Sequence, residues 1–380
     1  MIPFNKPCLT GREAFYIEDV MQMGKLSGNG KYTQQCQKLL QEKYGFGKCF
    51  LTTSCTDALE MAAILADIQP GDEVIIPAYT FVSTANAFVL RGAKIVFADS
   101  RSDRPGMDET KIEKLITRKT KVIVPVHYGG VCCDMDKIME IAAQYGLLVV
   151  EDAAQAIDAF YTGKDGLRKA AGSIGHLAAF SFHETKNITC GEGGMLVVND
   201  QNLEKRAEII LENGTDRAAY TRGEIPAYSW RDIGSSFFPS EITAAFLFAQ
   251  LENTANIQQR RIRHWEQYNE GLKTWASENG IQLPFTPAFA GNNAHMFYLV
   301  CKDAEQRAAI LQKLKDEGIT AATHYHNLAK SSFYRESDLS RELPFTDLYA
   351  GCLLRLPLFY DLEKEQIDHI IRTITGSLYV

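Results

Sequence analysis

Between residues 10 and 200 the chain alternates short apolar runs with stretches of helical period. Lys48-Cys49-Phe50-Leu51-Thr52 reads as a strand, followed by a helical pattern over 55–66. Glu73-Val74-Ile75-Ile76 is a second strand, ended by Pro77, and a helix over 82–90 leads into Lys94-Ile95-Val96-Phe97. Lys121-Val122-Ile123-Val124 and Leu147-Leu148-Val149-Val150 are two further apolar runs with a helical segment between them. Runs that are apolar at successive positions suit strands covered on both faces. Their interleaving with helices predicts an α/β fold around a mostly parallel sheet.

After Asp200 the pattern becomes mainly helical, over 203–213 and again over 240–275. The second stretch exceeds an ordinary globular helix, which predicts a bend or a passage between two packed units. From about residue 280, the strand-like Met296-Phe297-Tyr298-Leu299-Val300 and a helix over 304–316 predict a smaller C-terminal α/β unit. A chain of 380 residues exceeds what one core usually supports. The expected division is a large unit over 1–250, including an N-terminal arm, and a small one over 251–380. No internal repeat or low-complexity linker separates them.

The formal net charge is -7 with acids and bases intermixed. This leaves no sustained basic face for nucleic acid, while allowing a local basic pocket. The opening Met1-Ile2-Pro3-Phe4-Asn5-Lys6-Pro7 lacks the basic-then-apolar pattern of a secretory leader, and no apolar run approaches the ~20 residues of a membrane span. A cytoplasmic protein without a membrane partner is expected. Nine cysteines at irregular spacings point to reduced thiols rather than a disulfide framework or a zinc site, and no metal is expected.

The residues with chemical potential cluster in two segments. Asp152 follows the run 147–151, at the carboxyl edge of a strand, where open parallel sheets bind ligands. Phe180-Ser181-Phe182-His183-Glu184-Thr185-Lys186 ends another apolar run and leads into Gly191-Glu192-Gly193-Gly194, whose glycines permit close backbone approach. Taken together these residues meet the needs of a pyridine aldehyde such as pyridoxal 5'-phosphate. Lys186 supplies the amine that links to the aldehyde, if desolvation weakens its hold on a proton. Asp152 can keep the ring nitrogen protonated, Gln155 can donate to the phenolate oxygen, and Ser181 can reach the phosphate. A phosphate also suits a helix N-terminus, and Thr52-Thr53-Ser54-Cys55-Thr56 supplies one, with Ser54 and Thr56 hydroxyls beside free amides. Phe81, after another strand end, can stack on the ring. Singly, each has a plainer reading: Asp152 and Ser54 as helix caps, Lys186 as a solvated surface lysine, Phe81 as core filling.

The combination resembles the sugar aminotransferases that act on nucleotide-linked keto-sugars, within the aspartate-aminotransferase fold. The matching stretches are Thr53-Ser54-Cys55-Thr56, Pro77-Ala78-Tyr79-Thr80-Phe81-Val82-Ser83-Thr84, Glu151-Asp152-Ala153-Ala154-Gln155, Ser181-Phe182-His183-Glu184-Thr185-Lys186-Asn187 and Gly191-Glu192-Gly193-Gly194. Further similarity, to members that aminate C4 of dTDP-4-keto-6-deoxyglucose, runs from Ile2-Pro3-Phe4-Asn5 through Trp230-Arg231-Asp232-Ile233-Gly234-Ser235-Ser236 and Asn293-Ala294-His295 to Arg355-Leu356-Pro357-Leu358-Phe359-Tyr360. The resemblance implies fold-type I with a seven-stranded, mostly parallel sheet and a homodimer with active sites at the interface. It also implies L-glutamate as donor and a dTDP-linked keto-sugar as acceptor. Cofactor contacts are then expected from Ser54, Cys55, Thr56, Phe81, Asp152, Gln155, Ser181 and Lys186, and substrate contacts from His324 and Tyr325. Many relatives reach the neighbouring subunit's cofactor phosphate with an Asn. Here Ser236 aligns with it, and Ser235 is a second candidate.

Three rivals follow from the same residues. A sugar dehydratase of this fold carries His at the lysine position, whereas Lys186 is present. A nucleotide-binding oxidoreductase would show a G-x-G-x-x-G turn between its first strand and helix, and none is seen. A non-catalytic sensor that keeps the fold would not require the lysine.

Overall fold

The computed structural model describes residues 1–334 and 342–376. Its larger sheet uses β1 (Lys48–Thr52), β2 (Glu73–Pro77), β3 (Lys94–Ala98), β4 (Thr120–Ile123) and β5 (Leu148–Asp152). A separate hairpin of β6 (Phe160–Thr162) and β7 (Arg168–Ala170) intervenes before β8 (Leu177–Ser181) and β9 (Gly194–Val198) return to the sheet. The order is β1-β9-β8-β5-β4-β2-β3. Pairing is parallel from β3 through β2, β4 and β5 to β8, then antiparallel at β8–β9 and β9–β1.

Side chains of a strand alternate between faces, and the core divides accordingly. Ile75, Ile123, Val149, Ala178 and Val197 join one buried cluster, while Val74, Ile76, Val122, Val150, Leu177 and Val198 join the other. Both faces are therefore covered, which is why these strands read as continuous apolar runs. The predicted strands over 48–52, 73–76, 94–97 and 121–124 are all present. β5 differs from expectation at its end: it runs one residue past Glu151 and includes Asp152. Asp152 N donates to Pro125 O (2.9 Å), and His127 N donates to Asp152 O (3.1 Å), so backbone pairing carries the strand past its hydrophobic part.

The long helical stretch after 240 is two helices, Glu241–Glu252 and Thr254–Glu278, meeting at Asn253. Beyond them, β10 (Phe297–Val300) and β11 (Leu353–Leu356) pair antiparallel. Their cluster contains Tyr268, Phe297, Leu299, Leu354, Ile367 and Ile371, and also Tyr79 and Tyr128 from the edge of the larger sheet. An N-terminal arm crosses this region. Ile2 N donates to Gly318 O (2.9 Å), Thr320 N donates to Ile2 O (2.9 Å), and Asn5 Nδ2 donates to Glu184 O (3.2 Å). The arm thus ties the segment beside β11 to the loop that carries Lys186. No helix among the described residues is long and apolar enough to cross a membrane.

Candidate active site

A cavity of about 600 Å³ opens at the carboxyl edge of the parallel strands, within the ~300–1,000 Å³ usual for small-molecule sites. Asp152 and Lys186 both line it, with Ser54, Cys55, Thr56, Phe81, Gln155, Ser181, His324 and Tyr325. Ten of the sequence-predicted residues are therefore brought together. Ser235 and Ser236 are not: they lie on a segment whose backbone pairs with Ile210 and Asn213, and Ser236 bridges to Glu212.

The last two residues of β5 point to opposite faces and meet different surroundings. Glu151 is fully buried and accepts from three backbone amides, Gly172 (2.7 Å), Ile174 (2.8 Å) and Gly175 (2.5 Å). His127 Nδ1 accepts from the Cys133 amide (3.2 Å), which leaves Nε2 to donate to Glu151 (2.8 Å). Burial works against the Glu151 charge, yet these donors outweigh it and hold the carboxyl below its ordinary value. Glu151 is a structural tie. Asp152, 5% exposed, faces the cavity and accepts from Thr84 Oγ1 (2.8 Å) and the Ala154 amide (3.1 Å). Here burial prevails and raises the carboxyl above its ordinary value. A carboxyl in that state gains strongly from a cation placed beside it.

Lys186 sits in the loop 182–193 between β8 and β9, which folds back on itself: Phe182 N donates to Gly193 O, Glu184 N to Gly191 O and Cys190 N to Phe182 O, each at 2.8 Å. The next residue pins the loop from below. Asn187 Nδ2 donates to Gln258 Oε1 and to Asn293 O, both at 2.8 Å, and its Oδ1 lies 2.9 Å from His295 Nδ1. Burial, aided by the Arg355 charge and opposed by Asp152 and Glu192, pushes the Lys186 ammonium below the ordinary lysine value. No ion pair to Lys186 is found among the described residues. An amine so placed gives up its proton more readily than a surface lysine does.

The helix Cys55–Leu65 aims its N-terminus into the same space. Ser54 is its cap, its Oγ accepting from Asp57 N (3.1 Å), and the helix starts at Cys55, where the sequence pattern places it. The plain reading of Ser54 as a cap and its place in the cavity hold together. The amides of Cys55 and Thr56 meet no acceptor among the described residues. Gly194 makes the approach possible, since a Cβ there would collide with the Ser54 carbonyl and the Cys55 amide. Thr56 Oγ1 donates to Ser83 Oγ (2.9 Å), and Ser181 Oγ accepts the His183 amide (3.3 Å). Gln155 accepts from Gly129 N (2.6 Å) and donates to Tyr325 OH (3.1 Å). Phe81, 56% exposed, lies 6.1 Å from Tyr325 between ring centres.

These features fit pyridoxal 5'-phosphate. Free amides at a helix N-terminus suit the phosphate, Asp152 suits a protonated ring nitrogen, and the Lys186 amine suits the aldehyde. Residues that sequence reasoning missed also line the cavity: Phe4, Thr84, His183, Glu192, His295 and Arg355. Thr84 lay inside a matched motif, but only the fold shows its bond to Asp152. Arg355 reads as one more residue of the strand Leu353–Leu356.

The model of the DegT/DnrJ/EryC1/StrS aminotransferase family matches residues 7–375. The aminotransferase TlmJ from Streptoalloteichus hindustanus is 27% identical, with a TM-score of 0.89 over 99% of this chain and 98% of that one. The putative sugar aminotransferase Spr1654 from Streptococcus pneumoniae, in its PMP-form, is 26% identical, with a TM-score of 0.89 over 99% and 98%. Its PLP-form matches with a TM-score of 0.88. DesV from S. venezuelae is 29% identical, with a TM-score of 0.88 over 99% and 98%.

Proposed function

Because the chain belongs to the DegT/DnrJ/EryC1/StrS aminotransferase family, and is a pyridoxal-phosphate-dependent sugar aminotransferase, we propose that it moves the amino group of L-glutamate to C4 of dTDP-4-keto-6-deoxyglucose. In this reading it is a dTDP-4-amino-4,6-dideoxygalactose transaminase of the cytoplasm, supplying an amino sugar for surface polysaccharide. It works as a homodimer in which Ser236 or Ser235 of one subunit reaches the other's cofactor phosphate. The observation that carries the catalytic part is the convergence of Lys186, Asp152 and the N-terminus of helix Cys55–Leu65 on one cavity.

When bound, pyridoxal 5'-phosphate supplies an aldehyde that takes up an amino group and a ring that draws electrons from the carbon bearing it. Lys186 would hold it through Nζ, Asp152 at the ring nitrogen, Gln155 at the phenolate oxygen, and Ser54, Cys55, Thr56 and Ser181 at the phosphate. Asp152 keeps a proton on the ring nitrogen, which is the charge its raised carboxyl calls for. Thr84 and the Ala154 amide orient that carboxylate. Lys186 Nζ would also move a proton at the donor's α-carbon, and its lowered proton affinity suits it to that task. Asn187 holds the loop in place while Nζ moves. His324 and Tyr325, whose rings stack 4.1 Å apart at 11°, form the wall offered to the sugar. Phe81, in the cavity lining, would cover a face of the bound ring and exclude water there.

The lysine assignment is tested by Lys186→Arg, which keeps the charge and removes the reactive amine. Loss of the loaded enzyme's visible absorbance band and of turnover is expected, and retained steady-state transamination refutes it. The sugar is tested by glutamate-dependent amination of a panel of keto-sugars. The panel includes C3-keto and GDP- or UDP-linked forms, with the product amine assigned by NMR. Preference for another nucleotide or carbon overturns the substrate while leaving the reaction class in place.

A further inference from the structure

Asn293-Ala294-His295, matched in the sequence but given no part in the transfer chemistry above, forms a buried knot beside the cavity. Asn293 is 1% exposed. Ala294 has a φ of 50°, a left-handed conformation that residues with a Cβ seldom adopt. The surrounding bonds impose it. Arg261, on the helix Thr254–Glu278, donates from Nε to Ala294 O (3.1 Å) and from Nη2 to His295 O (2.8 Å). Asn293 Oδ1 accepts from His295 N (3.0 Å), which closes the turn on itself. Strained backbone that its neighbours over-determine points to a place where exact position has a use.

Two groups that face the cavity are tied to this knot from different sides. Asn293 Nδ2 donates to Gln155 O (2.8 Å) and Ile157 O (2.9 Å), which fixes the backbone of the segment after β5. A Cβ at Gly130 would collide with the Asn293 amide, so the turn whose Gly129 N donates to Gln155 Oε1 (2.6 Å) packs directly on it. Both the main chain and the side chain of Gln155 are thus set against Asn293. On the other side, Asn293 O accepts from Asn187 Nδ2 (2.8 Å) and from Gln258 Nε2 (3.3 Å). Asn187 Nδ2 also donates to Gln258 Oε1 (2.8 Å), which leaves Asn187 Oδ1 as the acceptor for His295 Nδ1 (2.9 Å). Asn187 directly follows Lys186.

We propose that Asn293 is a positioning residue that holds Gln155 and Lys186 in register for one bound ring. This rests on the roles given above to those two residues. In pyridoxal 5'-phosphate the phenolate oxygen and the aldehyde sit on adjacent ring carbons. Gln155 and Lys186 come from separate segments and must keep a fixed spacing to serve both positions. Asn293 is bonded to the backbone of the first and to the residue after the second, and does not itself line the cavity. Its consequence is electrostatic. The phenolate oxygen attracts a proton to the nitrogen that links Lys186 to the ring, and a Gln155 donor weakens that attraction. Slack in the register loosens the donor and strengthens the nitrogen's hold on its proton.

The test follows the visible absorbance of the cofactor-loaded enzyme as pH is raised, with thermal unfolding recorded beside it. Asn293→Asp keeps the acceptor for His295 N and the main-chain oxygen for Asn187, but sets an oxygen against the Gln155 and Ile157 carbonyls. The midpoint of the absorbance change should rise by roughly one pH unit, the size expected when a hydrogen bond to a charged oxygen is lost. Gln258→Leu loosens the knot from the lysine side at a residue that does not line the cavity, and the midpoint should rise by a smaller amount. An unchanged or lowered midpoint in folded Asn293→Asp overturns the inference, however far the unfolding temperature falls, because a purely structural amide would move only the latter. Should Asn293→Asp fail to fold, Gln258→Leu decides, and an unchanged midpoint there overturns the register. Loaded wild-type enzyme without a pH-dependent visible band overturns the Lys186 role as well, whereas the variant results bear on Asn293 alone.

Discussion

The cavity has two walls of different character. On the sheet side, the Asp152 and Gln155 side chains and the lysine loop already have protein partners: Asp152 is held by Thr84 and Ala154, Gln155 by Gly129 and Tyr325, and the loop by Asn187. On the side built from the arm and β11, the buried Arg355 Nε has no hydrogen-bond acceptor among the described residues. The sheet wall is thus formed in advance for a guest that stays, and small shifts there would disturb many bonds. The other wall is left unsatisfied, as suits a guest that enters and departs each cycle.

The largest effect expected on the sheet wall comes from Asp152→Asn, which keeps shape and the bond to Thr84 but removes the charge that secures a protonated ring nitrogen. Turnover should fall by about 1,000-fold, the upper range for loss of one preorganised electrostatic contact, with the variant folded and L-glutamate affinity nearly intact. Steady-state rates with titration of the loaded enzyme check this. A variant retaining a large part of wild-type turnover would remove Asp152 from the mechanism and with it the contrast between the walls.

Glu151→Gln probes the support behind that wall and should cost stability rather than chemistry. Its carboxylate takes three backbone amides and His127 with no exposure to water. The amide would set a donor against donors. A loss of about 3 kcal/mol is expected from denaturant unfolding, as for breaking a buried charged network. The pH dependence has a definite sign. Because the folded Glu151 carboxyl is held below its ordinary value of 4.5, its stabilisation is present above that pH and is lost as pH falls through the folded value. The gap between wild type and variant should therefore be full at pH 7 and shrink in acid. A gap that widened in acid would mean the carboxyl is not the charged acceptor described.

The two walls also differ in how far the chain announces them. The strands of the larger sheet are legible because both of their faces are covered, so apolar residues run unbroken and turn residues bound them. Lys186 and Asp152 are legible because each follows such a run, where ligands gather. The end of β5 was hidden, because Glu151 and Asp152 are polar for reasons that lie in distant partners: Gly172, Gly175 and His127 for one, Thr84 for the other. The arm wall was hidden more completely. Arg355 lies between leucines in a strand, and its significance comes from Phe4 at the opposite end of the chain and from its having no ion pair among the described residues. A pattern of hydrophobicity reports which face of a strand is covered; it does not report which buried charge has been left without a partner.

The smallest effect, and the finest probe of the difference, is expected from Phe4→Ala. Phe4 lies over the Arg355 guanidinium and touches the cavity without contributing a hydrogen bond. Its removal takes away a cation–π contact of about 1 kcal/mol in a partly desolvated setting and lets the guanidinium swing. L-glutamate affinity should weaken by roughly fivefold, the equivalent of that energy. The visible absorbance of the loaded enzyme should be unchanged, because Lys186 and Asp152 are held from the sheet side. The two readings come from one titration, so the comparison is internal. If the absorbance moved and the affinity did not, the arm would be acting on the lysine loop through Asn5 and Glu184, and the two walls would be one mechanical unit.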